Sequence, residues 1–204
     1  AGLEFARTAS LRGHQVELHD AMSRLGGQVL MASSAPHRAD LGAITDWLSN
    51  ELDSLGVEVH LNSFVDEELV AKVNPDEVVV AAGSMPNTEG FQQSTPASEI
   101  SGFNLPHVYS AWDILGFGKV TKFNGPAVVY DDTGTFEAIS ISDILLKKGL
   151  KVTMVGRGDS IGVRLPFPPV TAGAARERLY SGNFDFIGGH HLLAIEESRV
   201  EIDD

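Results

Sequence analysis

"AVVYDDTGTFEAISISDILLKKGLKVTMVGR", residues 127–157, carries the fold in its rhythm. A short apolar run leads into a tight turn, then an amphipathic helix, a glycine and a second apolar run. Strand, helix and strand at this spacing describe a parallel βαβ unit of the dinucleotide-binding kind. The G-x-G-x-x-G frame of such a unit, laid over "YDDTGT", finds Tyr130, Asp132 and Thr135 at its three glycine places, with Gly134 out of frame. The second glycine normally lets the backbone touch a pyrophosphate. A carboxylate within ~4 Å of a phosphate costs several kcal/mol at an effective dielectric of ~20. The helix N-terminus stays positive, and Asp132 or Thr133 is expected to cap it. The acid would then take the place that a phosphate would have held.

Working outward, "AGLEFARTASLR" (1–12) reads as a helix with Leu3, Ala6 and Leu11 inward and Arg7 and Arg12 outward, ended by Gly13. "HQVELH" is a strand closing at Asp20, and residues 21–38 read as a loop. Asp40 is the expected N-cap of a helix over 41–55 that Gly56 stops. "VEVHL" (57–61) is a strand, and "DEELVAKV" (66–73) a short helix whose acids Asp66, Glu67 and Glu68 suit its positive end. "EVVVAAG" (77–83) reads as a buried strand and residues 84–106 as a long loop. "HVYSAWDIL" (107–115) reads as a short strand and a helical turn. Beyond the opening stretch, "RLPFPPV" is a loop, "TAGAARERLYS" (171–181) a helix and "HLLAIEESRVEID" (191–203) a hairpin. Strands alternating with helices imply an α/β fold of three layers with mostly parallel sheets, in two related Rossmann-like lobes. An internal echo supports duplication: Gly13, Val16 and Gly26 stand in register with Gly149, Val152 and Gly162.

Bulk properties narrow the function. The 204 residues are 43% hydrophobic, enough for a substantial core. Against 28 acidic residues stand 15 basic ones, a net charge of −13, so nucleic acid is not an expected partner. No apolar run approaches the ~18 residues of a membrane span, and no signal peptide is visible, so a cytoplasmic setting is expected. With no cysteine in the chain, disulfide redox chemistry, thiolate zinc and iron–sulfur ligation lie outside these residues.

Candidate ligand-binding residues gather in the first lobe. Asp20 ends the second strand of a nucleotide unit, where an acid accepts hydrogen bonds from ribose hydroxyls. "SRLGGQ" (23–28) sets Gly26 and Gly27 behind Arg24, allowing close backbone approach beside a positive charge. Ala82 and Gly83 form a small-residue corner at the carboxyl edge of the sheet. Solvated strand-end acids and flexible glycine turns are the plain alternative for each.

"AGLEFARTASLRGHQVELHDAMSRLGGQ" and the stretch after it resemble the nucleotide-binding tail of old-yellow-enzyme-type NADH:flavin oxidoreductases, the 2,4-dienoyl-CoA reductase and trimethylamine dehydrogenase type. The resemblance spans essentially the whole chain. It implies that Gly2, Leu3, Asp20, Arg24, Gly26, Gly27, Gln28, Val65, Ala82 and Gly83 lie along FAD or ADP. It implies an FAD/ADP-binding lobe over 1–122, lacking its first strand, and an NAD(P)-binding-like lobe over 123–204. In this family a strand and G-x-G-P precede "AGLE", so the expectation is an internal segment of a longer polypeptide, truncated at both ends. An independent shorter protein is the other reading. The family's upstream barrel, with substrate, FMN and iron–sulfur cluster, is then the expected partner, and homo-oligomers stay open. "YDDTGTFEA" resembles members with an altered second turn, so the expected role is nucleotide binding without NAD(P)H. An NAD(P)H-dependent enoyl reductase module and a non-catalytic ADP-holding module are the alternatives.

Other groups offer less. Arg157 reads as a surface arginine, although its position could grip a 2′-phosphate. Adjacent His190 and His191 diverge on a strand, and His14, His19, His37, His60 and His107 show no ligand spacing. Trp47 reads as a packing residue. No residue reads as a catalytic acid, base or nucleophile.

Overall fold

A computed structural model describes residues 1–116 and 122–203. The chain divides into two compact units, Ala1–Ser84 and Met85–Asp204. Residues 117–121, beside the expected lobe boundary at 122/123, lie outside the described residues. The segment following Ser84, expected with the first lobe, is bonded into the second unit: Gln92 Nε2 donates to Leu192 O at 2.6 Å.

In the first unit, α1 (Gly2–Leu11) is followed by β1 (Glu17–Asp20), α2 (Gln28–Ser34) and a 3-10 turn (Ala39–Leu41). Then come α3 (Gly42–Ser54), β2 (Glu58–Leu61) and α4 (Glu67–Val73). β1 and β2 are parallel, with Glu17 opposite Glu58 and His19 opposite His60. Their core is small: Ala6, Leu52 and Val57 are buried, and Leu3, Val16, Leu18, Leu55 and Val59 pack on them. Gly13 takes a positive φ and ends α1, its N–H bonding Ser10 O at 2.9 Å. Asp66 caps α4 by accepting from Leu69 N at 2.9 Å.

Several expectations are corrected here. Leu11 is exposed, because its position turns past the α1 face that meets Leu52. Asp40 lies inside the 3-10 turn and caps nothing; the N-cap of α3 is Leu41. The loop over 21–38 contains α2, which follows immediately on Gly27. The run 77–83 is neither paired nor buried: Val80 is 83% exposed. An apolar run becomes a buried strand where another strand pairs with it and its faces are covered, and among the described residues no strand pairs with this run. Trp47 is half exposed, with the Arg7 guanidinium 5.2 Å from its ring centre.

The second unit contains α5 (Ala111–Ile114), β3 (Ala127–Asp131), α6 (Phe136–Lys147), β4 (Val152–Gly156), α7 (Pro168–Thr171), α8 (Gly173–Tyr180) and β5 (Phe184–Gly188). β6 (His191–Ile195) and β7 (Val200–Asp203) complete it. β3, β4 and β5 form a parallel sheet with β4 central; β6 and β7 form an antiparallel hairpin. No strand forms over 107–110; the loop expected over 164–170 ends in the short helix α7, and the helix expected over 171–181 is α8, starting two residues later. Val152, Met154 and Val155 are essentially inaccessible on the central strand, as are Ile139 on α6 and Leu179 on α8. Each such side chain contributes about 1.5–3 kcal/mol. Arg178 on α8 makes a two-pronged ion pair with the buried Asp143 of α6, at 2.9 and 2.6 Å. Gly149 ends α6 as Gly13 ends α1, with its N–H on Leu146 O at 2.8 Å.

Candidate functional site

Three of the sequence-marked blocks in the first unit are linked in pairs. α1 begins at Gly2, where an added Cβ would stand 3.3 Å from the Cβ of Ala81, so small residues let the helix start and the extended run approach. Gln28 Nε2 donates to Ser84 O at 2.9 Å and Ser84 Oγ at 3.1 Å, tying the glycine turn to the Ala82–Gly83 corner. Asp20 sits at the carboxyl end of β1. Its backbone oxygen accepts from Ser63 N at 3.0 Å, two residues before the exposed Val65.

The Asp20 carboxylate turns locally: Oδ1 accepts from Met22 N at 2.9 Å, and among the described residues no hydrogen bond engages Oδ2. Gly26 and Gly27 both have positive φ but differ in surroundings. A Cβ on Gly26 would meet Thr45 Cγ2 at 2.8 Å, whereas one on Gly27 meets nothing within 4 Å. Gly26 therefore lets the turn pack on α3, and Gly27 leaves open backbone at the start of α2. Arg24 is exposed and forms no ion pair among the described residues. Leu3 packs into the core, and its side chain is structural here. Among the described residues no hydrogen bond joins Asp20 to the Gln28–Ser84 link.

The turn after β3 in the second unit is filled differently from expectation. Asp131, not Asp132, closes it: Oδ1 accepts from Gly134 N at 2.7 Å, Thr133 N at 3.2 Å and Thr133 Oγ1 at 3.3 Å. The carboxyl group is buried, which raises its pKa, while the Gly134 and Thr133 N–H groups pull it down. A Cβ on Gly134 would meet Val163 Cγ1 at 2.9 Å. The turn is thus covered from above as well as filled from within.

Asp132 faces the segment after Ser84. Its Oδ2 accepts from Gln93 N at 2.7 Å, and its Oδ1 lies 3.6 Å from Arg157 Nε. Gln93 Oε1 accepts from Arg157 at 2.9 Å and from Arg164 at 3.1 Å. Arg157 is therefore partly covered and engaged, correcting the surface reading. Tyr130 donates to Gln92 Oε1 at 2.8 Å, and burial followed by the Asp132 charge pushes its hydroxyl up to about 12. The Gln93 backbone and the Gln92 side chain thus lie against Asp132 and Tyr130, two of the three positions where the G-x-G-x-x-G frame would have glycine. The 320 Å³ hollow that remains is lined by Asp132, Thr133, Arg157 and Arg164 among others.

One cluster escaped linear spacing. The β1–β2 register stacks His19 on His60, ring centres 4.5 Å apart and planes 18° from parallel. Glu17 Oε2 is 3.6 Å from His19 Nε2, and Glu58 Oε1 is 3.3 Å from His60 Nε2. Its sequence signal is the repeat V-E-x-H in "VELH" (16–19) and "VEVH" (57–60), which becomes visible only when both runs are paired in parallel. His190 instead turns back onto Gly188 O at 2.7 Å.

Parallel strands joined by helices with glycine-closed ends define an α/β architecture with mostly parallel sheets. No family model matches the chain. A probable N-methylproline demethylase of Rhizobium meliloti is 32% identical over 155 residues, 76% of this chain and 21% of that protein. A multifunctional alkene reductase/demethylase OYE of Caballeronia cordobensis is 32% identical over 170 residues, 78% of this chain and 23% of its own length. In solved structures, 6-hydroxypseudooxynicotine amine oxidase of Pseudomonas geniculata N1 superposes with a TM-score of 0.89 at 28% identity, covering 98% of this chain and 29% of its own. The chain's homologues are flavoenzymes of the old-yellow-enzyme and trimethylamine dehydrogenase type. It spans about a fifth of the length of the curated relatives it matches. Among the described residues no helix is long and apolar enough to cross a membrane.

Proposed function

We propose that the first unit holds the adenosine diphosphate part of FAD, and that the second is a retained scaffold that takes no NAD(P)H. The reading is carried by Asp20. Its carboxylate stands at the carboxyl end of a parallel strand with one oxygen uncommitted, six residues ahead of a glycine turn. Gly27 adds open backbone at the start of α2, with no side-chain atom within 4 Å of its Cβ position, and the N-terminus of α1 adds a positive pole beside Ala81. These groups fit an adenosine diphosphate: acid to ribose, backbone and helix end to phosphate. Flavin, when bound, supplies the hydride and electron chemistry. On this reading the residues of this chain bind and orient the cofactor.

The second unit does not fit a dinucleotide. Asp131 consumes the N–H groups of the turn, Val163 covers Gly134, and Gln93 engages both arginines. In the whole enzyme, which we place among flavin-dependent oxidoreductases, the reaction occurs in polypeptide preceding this segment, and a strand from there pairs with Val78–Val80. Titration of the natural polypeptide carrying residues 1–204 with NADH and NADPH tests the second half of the proposal. No binding in the micromolar range is expected; micromolar affinity lost on changing Arg157 would contradict it.

A further inference from the structure

We propose that Glu17, His19 and His60, with Glu58 beside them, form a site for a divalent transition-metal ion of the zinc class. Each of Glu17, His19 and His60 offers a donor atom, and the three donors lie within 4.8 Å of one another. The placement is a consequence of strand geometry. Residues two apart share a face of a strand, and the in-register parallel partner sets a second pair beside the first. Leu18 and Val59 turn to the helices and pack on the core, so the glutamates and histidines share the opposite face.

The donor chemistry selects the ion class. Two imidazoles and carboxylate oxygen suit zinc, with bonds of about 2.0–2.2 Å, and also nickel, cobalt or copper. Magnesium and calcium prefer all-oxygen shells. Both Nε2 atoms already stand beside a carboxylate. His19 Nδ1 is 2.9 Å from Ser63 Oγ. With that hydroxyl accepting, Nδ1 holds the proton and Nε2 keeps its lone pair for the ion, the usual outer-shell arrangement of a ligating histidine. Bonding an ion would draw the donors, now within 4.8 Å of one another, toward a common point by rotation of the side chains. The face opens on a 620 Å³ hollow also lined by Lys72, the one cation among the lining residues and the group that would weaken the site. Glu17 and Glu58 outnumber it. A bound ion would brace β1 to β2 beside Asp20, independently of whether a nucleotide is held.

The test is a titration of the chelator-treated full chain with Zn²⁺ by calorimetry and with Co²⁺ by visible absorption. One ion per chain is expected, with the intense cobalt bands of a low-coordinate site. His19→Ala and His60→Ala should each abolish that event, Ser63→Ala should weaken it roughly 10-fold, and His14→Ala, on an exposed loop, should leave it unchanged. Metal should raise the melting temperature of the parent and of His14→Ala alike, that of Ser63→Ala less, and that of the two histidine variants not at all. Because the alanine variants disturb the sheet, the parent is also followed by imidazole NMR, where Zn²⁺ should move two of the seven histidines, His19 and His60. No binding by the parent, binding that survives both histidine changes, or shifts confined to other histidines would overturn the proposal and leave two simple histidine–glutamate pairs.

Discussion

The two units share one local plan and finish it in opposite ways. Each has a helix ended by a positive-φ glycine, a strand, and a glycine-bearing loop: Gly13, β1 and Gly26 in one, Gly149, β4 and Gly162 in the other. In the second unit, β4 has a strand on either side and its inward residues are sealed. In the first, among the described residues β1 pairs with β2 alone, the buried cluster beneath that pair is Ala6, Leu52 and Val57, and Val78–Val80 stand exposed. The loops differ in the same sense: Gly27 is open, while the Asp131–Gly134 turn is closed by the chain itself. Local sequence sets the plan; the neighbours available to each strand decide whether the plan yields a core, and side chains in the turn decide whether it leaves room for a ligand.

The contrast can be broken most severely at Arg178. Arg178→Ala leaves the Asp143 carboxylate buried without its partner and should cost about 3–5 kcal/mol, read as loss of stability in chemical denaturation. Met154→Ala should cost about 2–5 kcal/mol by opening a cavity on the central strand. In the same assay Val80→Ala should change stability by no more than about 0.5 kcal/mol, since that side chain is solvated. A similar loss for both would mean that the first unit buries its apolar run after all. Gly26→Ala should cost about 1–3 kcal/mol, from overpacking against Thr45 at a positive φ, and Gly27→Ala should lack that clash.

The smallest effect concerns pH. Burial raises the Asp131 pKa above its ordinary 3.8, so the folded state favours the protonated acid more than the unfolded chain does. Its contribution is most favourable below the unfolded value and is lost as pH rises through the folded one. Asp131→Asn keeps an acceptor for Gly134 N and should flatten that fall in a series of denaturation curves across the acidic range. An unchanged slope would assign the fall to another carboxylate.

How much of this was legible follows from what each signal depends on. The opening βαβ stretch was readable because its apolar periods and Gly149 are local. α2 was hidden by its composition: two glycines before it and two serines within it read as a loop, while Met31 and Ala35 bury its inner side. The fate of Val78–Val80 depends on neighbouring strands, which no local pattern contains. The acid in the turn was recognised, but a one-residue frame placed it at Asp132 rather than Asp131. Asp20 stands at a strand end and Gly26–Gly27 in a glycine turn, as their local pattern implies, whereas the strand expected before Ala82–Gly83 does not form among the described residues; Gln28–Ser84 is the bond that ties the glycine turn to that run. His19 and His60 could be connected only through the parallel register.

Asp20 is where the proposed difference between the units can be measured. FAD and ADP should be titrated calorimetrically into the natural polypeptide carrying residues 1–204, as parent and as Asp20→Ala, with NADH as the comparison ligand. Losing charged hydrogen bonds worth about 1.5–3 kcal/mol should weaken adenosine diphosphate binding roughly 10- to 100-fold, with NADH unbound by either protein. Equal affinity of parent and variant for FAD and ADP would contradict the assignment of the first unit as the nucleotide holder.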